Sequence, residues 1–278
     1  MSAGTLAAVP ELPEVETIVR GLTPALRGRR IDAVTVRETR LRTRLAPGFA
    51  TQLCTRRIEG LRRHGKFILA SLDDGRVWLV HLGMTGRLTV APPGRPDRPH
   101  DHVVLRLDDG QLVTYNDVRR FGRMAVIDAA ALRRETVRGV DALSPALTPE
   151  MLFALSRPRR TSIKALLMDQ QCVAGLGNIY VNEILHRVGI RPRRRAGRLT
   201  RAECRKLVTA VRAVLGEAIA RGGSSISDYR DGFGRPGSYQ RRHRVYGRAG
   251  EPCRRCATPI RACVVAGRAS FYCPRCQR

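Results

Sequence analysis

Apolar residues recur with a helical period near the start of the chain. Between Glu14 and Leu26 they fall at positions 15, 18, 19, 22 and 26, which share one face of an α-helix. Pro13 falls at the start of this run, where a missing backbone N–H does no harm. The pattern predicts an amphipathic helix over Glu14–Leu26, with Glu11 immediately in front of it.

Short segments of β character follow the predicted helix. Two Leu-Asp-Asp-Gly sequences, at 72–75 and 107–110, separate neighbouring segments and are typical of hairpin turns. The predicted strands are Ile31–Glu38, Arg57–Leu61, Lys66–Leu72, Arg76–Leu82, Arg87–Ala91, His102–Leu107, Gln111–Tyr115 and Arg123–Asp128. This many short strands behind one helix predict a two-layer β-sandwich.

The spacing becomes helical in the second half of the chain. Thr148 is a predicted helix N-cap, and short helices are predicted over Ile163–Met168 and Asn178–Val188. Thr200 and Glu203 have the spacing of a capping box, which predicts a long helix that ends at Gly222-Gly223. Residues 224–237 are rich in glycine, serine and charge, and predict a loop.

Four of the eight cysteines stand close to the end of the chain as two Cys-x-x-Cys pairs. Sixteen residues separate the pairs Cys253/Cys256 and Cys273/Cys276. Two such pairs supply four thiolates for tetrahedral zinc, so the pattern predicts one structural Zn²⁺ in a zinc ribbon. The other four cysteines lie in apolar or helical contexts and are predicted to be inert thiols.

These patterns together predict an α+β, multidomain protein. We expect an N-terminal β-sandwich with a flanking helix over 10–140, a helical domain over 141–238 and a zinc ribbon over 239–278. The formal net charge of +27, from 51 basic and 24 acidic residues, indicates a polyanionic partner such as nucleic acid. The sequence has no apolar run of about 18 residues, so no transmembrane helix is expected.

Several blocks stand in the same order as in the formamidopyrimidine-DNA glycosylase family, which the chain resembles from Pro10 to its C-terminus. The blocks are Pro10–Glu16, His81-Leu82-Gly83-Met84-Thr85-Gly86, Asp117-x-Arg119-Arg120-Phe121-Gly122, Gly177-Asn178-Ile179-Tyr180 and Phe271-Tyr272-Cys273. The resemblance implies a helix–two-turn–helix DNA-binding domain at 141–238, whose loop at 224–237 caps the flipped base. It also implies a DNA glycosylase and abasic-site lyase that acts on double-stranded DNA with oxidised purines or abasic sites. We expect a monomer in a bacterial-type, nucleoid-associated cytoplasmic setting.

The same resemblance implies roles for four catalytic residues. Pro10 would be the amine nucleophile and Glu11 the acid that assists base release. Lys66 would assist β-elimination and Arg268 δ-elimination. Without the resemblance, Lys66 would be an ordinary solvated charge at a strand end.

The resemblance also implies residues that bind DNA. Met84, Arg119 and Phe121 match side chains that fill the gap left by a flipped nucleotide. Phosphate contacts are expected from His100, Arg159, Lys164, Asn178 and Arg268. The chain departs from the family pattern at Val118, where many relatives have proline, and at Arg159-Arg160, which replace lysines.

The position of Pro10 leaves alternatives open. Behind residues 1–9 its nitrogen is a tertiary amide without nucleophilic character. Residues 1–9 are therefore either an extension or a mis-called start, with Val9 read as the initiating Met and then removed. If Pro10 stays capped, the chain would be a non-catalytic binder of damaged DNA. An endonuclease VIII-like preference for oxidised pyrimidines is the other alternative, although Leu12 and the Met84/Arg119/Phe121 set favour purines.

Overall fold

The computed structural model describes residues 9–226 and 229–278. Residues 1–8, which make up most of the possible extension, and two positions of the 224–237 loop lie outside the described residues. The chain divides into two compact units. The sandwich unit comprises the chain up to Thr136 together with Arg221–Ser238, and the helical–ribbon unit comprises Val137–Ala220 and Tyr239–Arg278.

The sandwich unit contains all eight predicted strands. In chain order its elements are α1 (Leu12–Leu26), β1 (Ile31–Val36), α2 (Phe49–Leu53), β2 (Ile58–His64), β3 (Phe67–Leu72), β4 (Arg76–His81), β5 (Arg87–Ala91), β6 (Asp101–Leu107), β7 (Leu112–Asn116), β8 (Arg123–Asp128) and α3 (Leu132–Glu135). Two antiparallel sheets have the strand orders β1-β6-β7-β5 and β2-β3-β4-β8. The predicted β-sandwich is therefore confirmed, with strand ends that differ by up to three residues.

The first helix and both sheets share one apolar core. The α1 residues Val15, Ile18 and Leu22 are fully buried in the same cluster as Trp78 of β4 and Tyr115 of β7. The helix starts two residues earlier than predicted. The one-turn helix α2 was not predicted because five residues are too few to show a helical period.

The helical–ribbon unit contains α-helices of 6 to 19 residues and a small hairpin. Its elements are β9 (Val140–Asp141), α4 (Pro149–Ser156), α5 (Ile163–Met168), β10 (Val173–Ala174), α6 (Asn178–Val188), α7 (Arg201–Ile219), β11 (Arg261–Val265) and β12 (Arg268–Tyr272). The predicted caps are present: the Thr148 side chain accepts from the Met151 N–H, and Thr200 forms the capping box with Glu203. These elements confirm the predicted helical and zinc-ribbon architecture.

The two units divide the chain differently from the predicted boundaries. Arg221–Ser238 belongs to the sandwich unit rather than to the helical domain predicted over 141–238. The reason lies in tertiary contacts that a local pattern does not contain. The Ser224 N–H donates to the Glu14 carboxylate over 2.7 Å, and the Val90 N–H of β5 donates to the Gly232 carbonyl over 2.9 Å.

Candidate active site, DNA interface and zinc site

Pro10 and Glu11 lie at the N-terminus of α1, in the sandwich unit. Glu11 is the N-cap residue and is only 3% exposed. Its backbone N–H donates to the Glu14 carboxylate over 2.9 Å in a reciprocal capping box. Because Glu14 also holds Ser224 and is itself buried, the segment that carries Pro10 and Glu11 has a fixed direction. The arrangement holds a carboxyl group directly beside the residue predicted to be the nucleophile.

Lys66 lies in the turn between β2 and β3. Gly65 adopts the left-handed conformation that this turn requires, with φ of 56°. Arg63 fixes the base of the hairpin, since its guanidinium donates to Glu16 of α1 and to the Gly65 carbonyl, each over 2.9 Å. The turn is thereby tied to the helix that begins beside Glu11.

His81, at the end of β4, is a neighbour of Lys66 that sequence reasoning left without a role. Its ring packs 4.8 Å from the Phe67 ring, and its Nδ1 accepts from the Gly83 N–H over 3.1 Å. Burial lowers the pKa of His81 to about 4, and the positive charge of Lys66 contributes to the same shift. The imidazole is therefore neutral at physiological pH and leaves the positive charge at this point to Lys66.

Two loops of the sandwich unit bring Met84, Arg119 and Phe121 together. The Arg119 N–H donates to the Thr85 hydroxyl over 3.1 Å, and the Arg119 guanidinium stacks 4.6 Å from the Phe121 ring centroid. Phe121 is 42% exposed and Met84 is half-buried. A Cβ atom on Gly83, whose φ is 64°, would overlap the Phe121 carbonyl. Glycine is required there for the loops to meet.

A buried carboxylate, Asp117, organises these loops. It accepts hydrogen bonds from the Thr85 hydroxyl over 2.5 Å, the Tyr115 hydroxyl over 2.9 Å and the Gly122 N–H over 2.8 Å. Asp117 is completely buried, so each of these bonds replaces one that water would have made. The sequence places Asp117 within a motif but does not assign it this role.

The predicted phosphate ligand His100 is exposed in the turn before β6, with φ of 69°. Its carbonyl accepts from the Asp117 N–H over 3.1 Å, which attaches the turn to the same organising residue. His102 instead is buried, and its Nε2 lies 2.8 Å from the Asp117 carbonyl. The two histidines therefore have different surroundings, and only His100 is positioned at the surface.

Three predicted DNA-binding residues of the helical–ribbon unit are accessible. Arg159 is exposed after α4, and one of its guanidinium nitrogens lies 3.3 Å from the Cys172 Sγ. Asn178 is half-buried in the first turn of α6, where the helix dipole favours an anion. Arg268 is exposed at the first position of β12, immediately after the hairpin turn.

Lys164 is a correction to the predicted phosphate ligands. It is completely buried, and its Nζ donates to the Ala269 carbonyl over 2.7 Å and to the Ser270 hydroxyl over 2.6 Å. A phosphate cannot contact an ammonium group that has no accessible surface. Lys164 instead fastens α5 to β12, the strand that begins at Arg268. The sequence did not reveal this because the partners are more than 100 residues apart.

The four predicted metal ligands converge in the helical–ribbon unit. The sulfur atoms of Cys253, Cys256, Cys273 and Cys276 all lie within 4.8 Å of one another. Backbone N–H groups of Arg255 and Cys276 approach the Cys253 and Cys273 sulfurs at 3.4 Å, as expected for thiolates that bind a cation. Burial and hydrogen bonds with the neighbouring thiols raise the pKa of Cys276, whereas hydrogen bonds from Thr258 lower the pKa of Cys256 to about 6. The donor set and spacing fit one structural zinc ion.

Glu183 of α6 is a further structural residue that the sequence did not single out. Its buried carboxylate accepts the backbone N–H groups of Arg244, Val245 and Tyr246 over 2.8, 3.0 and 2.8 Å. The segment that leads into the zinc ribbon is thereby attached to the helix. A glutamate in an otherwise amphipathic helix gave no sequence signal for this role.

Within residues 9–226 and 229–278, no helix combines the length and the apolar character needed to cross a membrane.

Comparison with protein families matches three successive parts of the chain. Residues 9–124 match the formamidopyrimidine-DNA glycosylase N-terminal domain, and 138–230 match the formamidopyrimidine-DNA glycosylase H2TH domain. Residues 250–278 match the zinc finger found in FPG and IleRS. The fold and these matches define a zinc-containing DNA glycosylase with a β-sandwich and a helix–two-turn–helix domain.

Curated relatives match almost the whole length of the chain. The chain is 48% identical over 272 residues to the formamidopyrimidine-DNA glycosylase of Thiobacillus denitrificans, and the match covers 97% of this chain and 100% of that protein. The enzyme of the same name from Chloroflexus aggregans is 45% identical, with 97% and 98% covered. The chain belongs to the formamidopyrimidine-DNA glycosylase family.

Solved structures of the family share the fold. The MutM (Fpg) protein of Thermus thermophilus is 40% identical with a TM-score of 0.85, over 96% of this chain and 98% of that chain. A mutant Fpg of Lactococcus lactis in complex with Fapy-dG-containing DNA is 33% identical with a TM-score of 0.88, over 97% and 100%. Lactococcus lactis Fpg bound non-covalently to DNA containing an abasic site gives a TM-score of 0.86 at 33% identity, over 96% and 99%.

Replacement of Asp117 by alanine should destabilise the sandwich unit by about 3 kcal/mol, because buried hydroxyl and N–H donors would lose their acceptor. Urea unfolding measures the change. Asp97→Ala is the control, since Asp97 is a 65% exposed carboxylate paired with Arg37 and should cost less than about 0.5 kcal/mol. Equal stability of the two variants would contradict the organising role of Asp117.

The lowered pKa of His81 predicts an acid-sensitive stability. The folded-state pKa of about 4 lies below the ordinary value of 6.5. The contribution of the neutral His81 ring to the free energy of unfolding is therefore complete above pH 6.5 and is lost as the pH falls toward 4. We expect the free energy of unfolding of His81→Gln to fall less over this interval, by up to about 3 kcal/mol. Urea unfolding at a series of pH values tests this, with the exposed His100→Gln as control. Identical pH profiles for wild type and His81→Gln would disprove it.

Proposed function

We propose that this chain is a base-excision repair enzyme that removes oxidised purines, such as 8-oxoguanine and formamidopyrimidines, and then cleaves the abasic site. The observation that carries the proposal is the placement of Pro10 and Glu11 at the start of α1, where Glu11 is buried and its backbone is held by Glu14. Family membership supports the same activity, since the relatives carry the name formamidopyrimidine-DNA glycosylase.

The nucleophile of the proposed reaction is the nitrogen of Pro10. A terminal secondary amine titrates close enough to neutrality to be partly in its free-base form, whereas an amide nitrogen has no available lone pair. The proposed reaction therefore requires a form of the protein in which Pro10 is a free N-terminus. The match to the family's N-terminal domain begins at residue 9, directly before Pro10.

Glu11 is the proposed acid of the base-release step. Attack by the Pro10 nitrogen forms a bond to C1′ of the deoxyribose as the bond from C1′ to the base breaks. The base leaves with that electron pair and with the proton of the Glu11 carboxyl group. The Glu11 carboxylate then takes the proton that the Pro10 nitrogen loses and passes it to O4′ as the sugar ring opens. A carboxyl group beside the attacking amine can transfer these protons. The product is a Schiff base between Pro10 and the opened sugar.

Lys66 and Arg268 are the proposed residues of the two elimination steps. Loss of a C2′ proton from the Schiff base expels the 3′ phosphate, and a second elimination expels the 5′ phosphate. The proposed role of Lys66 is supported by its position in a fixed turn beside the neutral His81 ring. The proposed role of Arg268 is supported by its exposure on β12, a strand that the buried Lys164 holds through a hydrogen bond to the Ala269 carbonyl.

The proposed DNA interface comprises exposed cations and one inserted set of side chains. Met84, Arg119 and Phe121 fill the place of the flipped nucleotide, with Arg119 able to hydrogen-bond the base opposite. His100, Arg159, Asn178 and Arg268 contact phosphates. The net charge of +27 predicts that affinity falls steeply as the salt concentration rises. The partner is double-stranded DNA, the protein acts as a monomer, and its proposed location is the bacterial nucleoid.

Borohydride trapping tests the nucleophile. Protein that begins at Pro10 is incubated with duplex DNA containing 8-oxoguanine, the Schiff base is reduced, and the adducted peptide is mapped. We expect a covalent adduct on Pro10, because reduction fixes the nitrogen–C1′ bond. The matched control is the chain that retains residues 1–9, which should bind the lesion and form no adduct.

Other outcomes separate the alternatives. Lesion binding without any adduct would mean that the protein is a non-catalytic binder of damaged DNA. An adduct on Lys66 would assign the nucleophile to another residue. Faster release of oxidised pyrimidines than of 8-oxoguanine from matched duplexes would place the specificity with the endonuclease VIII-like relatives.

Glu11→Gln should lower base release from 8-oxoguanine DNA by about 100-fold or more, because the amide cannot donate the required proton. The same variant should retain measurable strand cleavage at preformed abasic sites, since base release is then unnecessary. Single-turnover rates on the two substrates provide the measurement, with Glu59→Gln, at an exposed position of β2, as the control. Equal loss on both substrates would contradict the role of Glu11 in base release.

A further inference from the structure

His186 is a buried histidine that none of the roles above uses. It lies in the last turn of α6 and is 1% exposed. Its Nε2 atom lies 3.6 Å from the Sγ atom of Cys253, one of the four metal ligands. This distance falls within the range expected for a nitrogen donor and a sulfur acceptor, because sulfur is larger than oxygen.

The other ring nitrogen of His186 indicates which tautomer is present. Its Nδ1 is buried and has no hydrogen-bond partner among the residues that the structure describes. If the proton were on Nδ1, a buried donor would be unsatisfied and the Nε2 lone pair would face an anionic sulfur. With the proton on Nε2, the ring donates to the sulfur and only the Nδ1 lone pair remains unpaired.

We propose that His186 donates an Nε2–H···S hydrogen bond to the Cys253 thiolate and so stabilises zinc in the ribbon. Four thiolates give a zinc site a net charge of −2, and donors to sulfur reduce the charge that the buried ligands must bear. Cys253 is only 3% exposed and already receives the Arg255 N–H. His186 supplies a second donor, from the helix rather than from the ribbon itself.

His186 acts as a positioning residue and not as a fifth ligand. The four sulfur atoms already form the compact group that a tetrahedral ion requires, and the His186 ring lies beside that group rather than within it. The bond links α6 to the ribbon at a metal ligand, whereas Glu183 links the same helix to the segment before the ribbon. Zinc binding and the attachment of the ribbon to α6 are therefore coupled through one imidazole.

Zinc affinity of the full chain, measured by competition with a chromophoric chelator, tests the proposal. His186→Phe fills the same space without a donor and should weaken zinc binding by about tenfold or more. His186→Gln keeps an N–H donor and should retain most of the affinity. The control is His243→Phe, which replaces a buried histidine of the same unit that packs against Tyr239 and Tyr246 and should leave zinc affinity unchanged.

Two spectroscopic measurements distinguish a hydrogen bond from simple packing. In the cobalt-substituted protein, His186→Phe should shift the sulfur-to-metal charge-transfer band to lower energy, because the thiolate regains electron density. In the unmutated zinc protein, the ¹⁵N shifts of the histidine ring whose signals disappear in His186→Gln should show a protonated Nε2 and an unprotonated Nδ1. The second measurement does not depend on whether His186→Phe folds.

Several results would overturn the proposal. One is a ring protonated on Nδ1 alone. Another is unchanged zinc affinity together with an unchanged cobalt spectrum in His186→Phe. Equal loss of zinc in His186→Phe and His186→Gln would show that the shape of the ring matters and its N–H does not. None of these measurements uses glycosylase activity, so their outcome is independent of the catalytic function proposed above.

Discussion

The hydrogen bonds made by one buried carboxylate, Glu14, determine where the proposed reaction can take place. Its two oxygens accept the backbone N–H groups of Glu11 and Ser224, and its own carbonyl accepts from the Tyr229 hydroxyl over 3.3 Å. A carboxylate this deeply buried is stable only with such partners, so the start of α1 and the segment beyond α7 must adopt these positions together. Gly223 permits the approach, because with φ of 79° a Cβ there would lie 2.7 Å from the Glu14 oxygen.

Other buried carboxylates organise the backbone around them in the same way. Asp117 holds the loops of the inserted side chains and Glu183 holds the segment before the ribbon, in each case by accepting N–H or O–H groups in a buried place. The chain has about half as many acidic as basic residues, 24 against 51, and several of these acids lie in the interior as acceptors. A carboxylate that accepts hydrogen bonds in the interior does not neutralise a basic side chain on the surface. The exposed surface is correspondingly more basic, which suits a phosphate partner.

Local patterns in the sequence were sufficient to predict most of the fold. Short segments of β character and the two hairpin turns predicted the strands, and Thr200 with Glu203 predicted the start of α7, because each signal lies within a few residues. The cysteine spacing predicted the metal site for the same reason. The placement of 221–238 and the burial of Lys164 were not predicted, since both depend on partners far away in the chain. The link that Glu14 makes between Glu11 and Ser224 was not predicted for the same reason, because Ser224 is distant in the chain.

Lysine is rare in this chain, and two of its lysines lie where a small cation is needed. Only Lys66, Lys164 and Lys206 are lysines among the 51 basic residues. Lys164 donates to a carbonyl and a hydroxyl in a fully buried space, where a planar guanidinium would be too large and would leave donors unsatisfied. Lys66 lies in a tight turn, close enough to His81 for its charge to lower the pKa of the imidazole. Two of the three lysines therefore occupy positions that need a compact ammonium, and the exposed cationic positions are nearly all arginine.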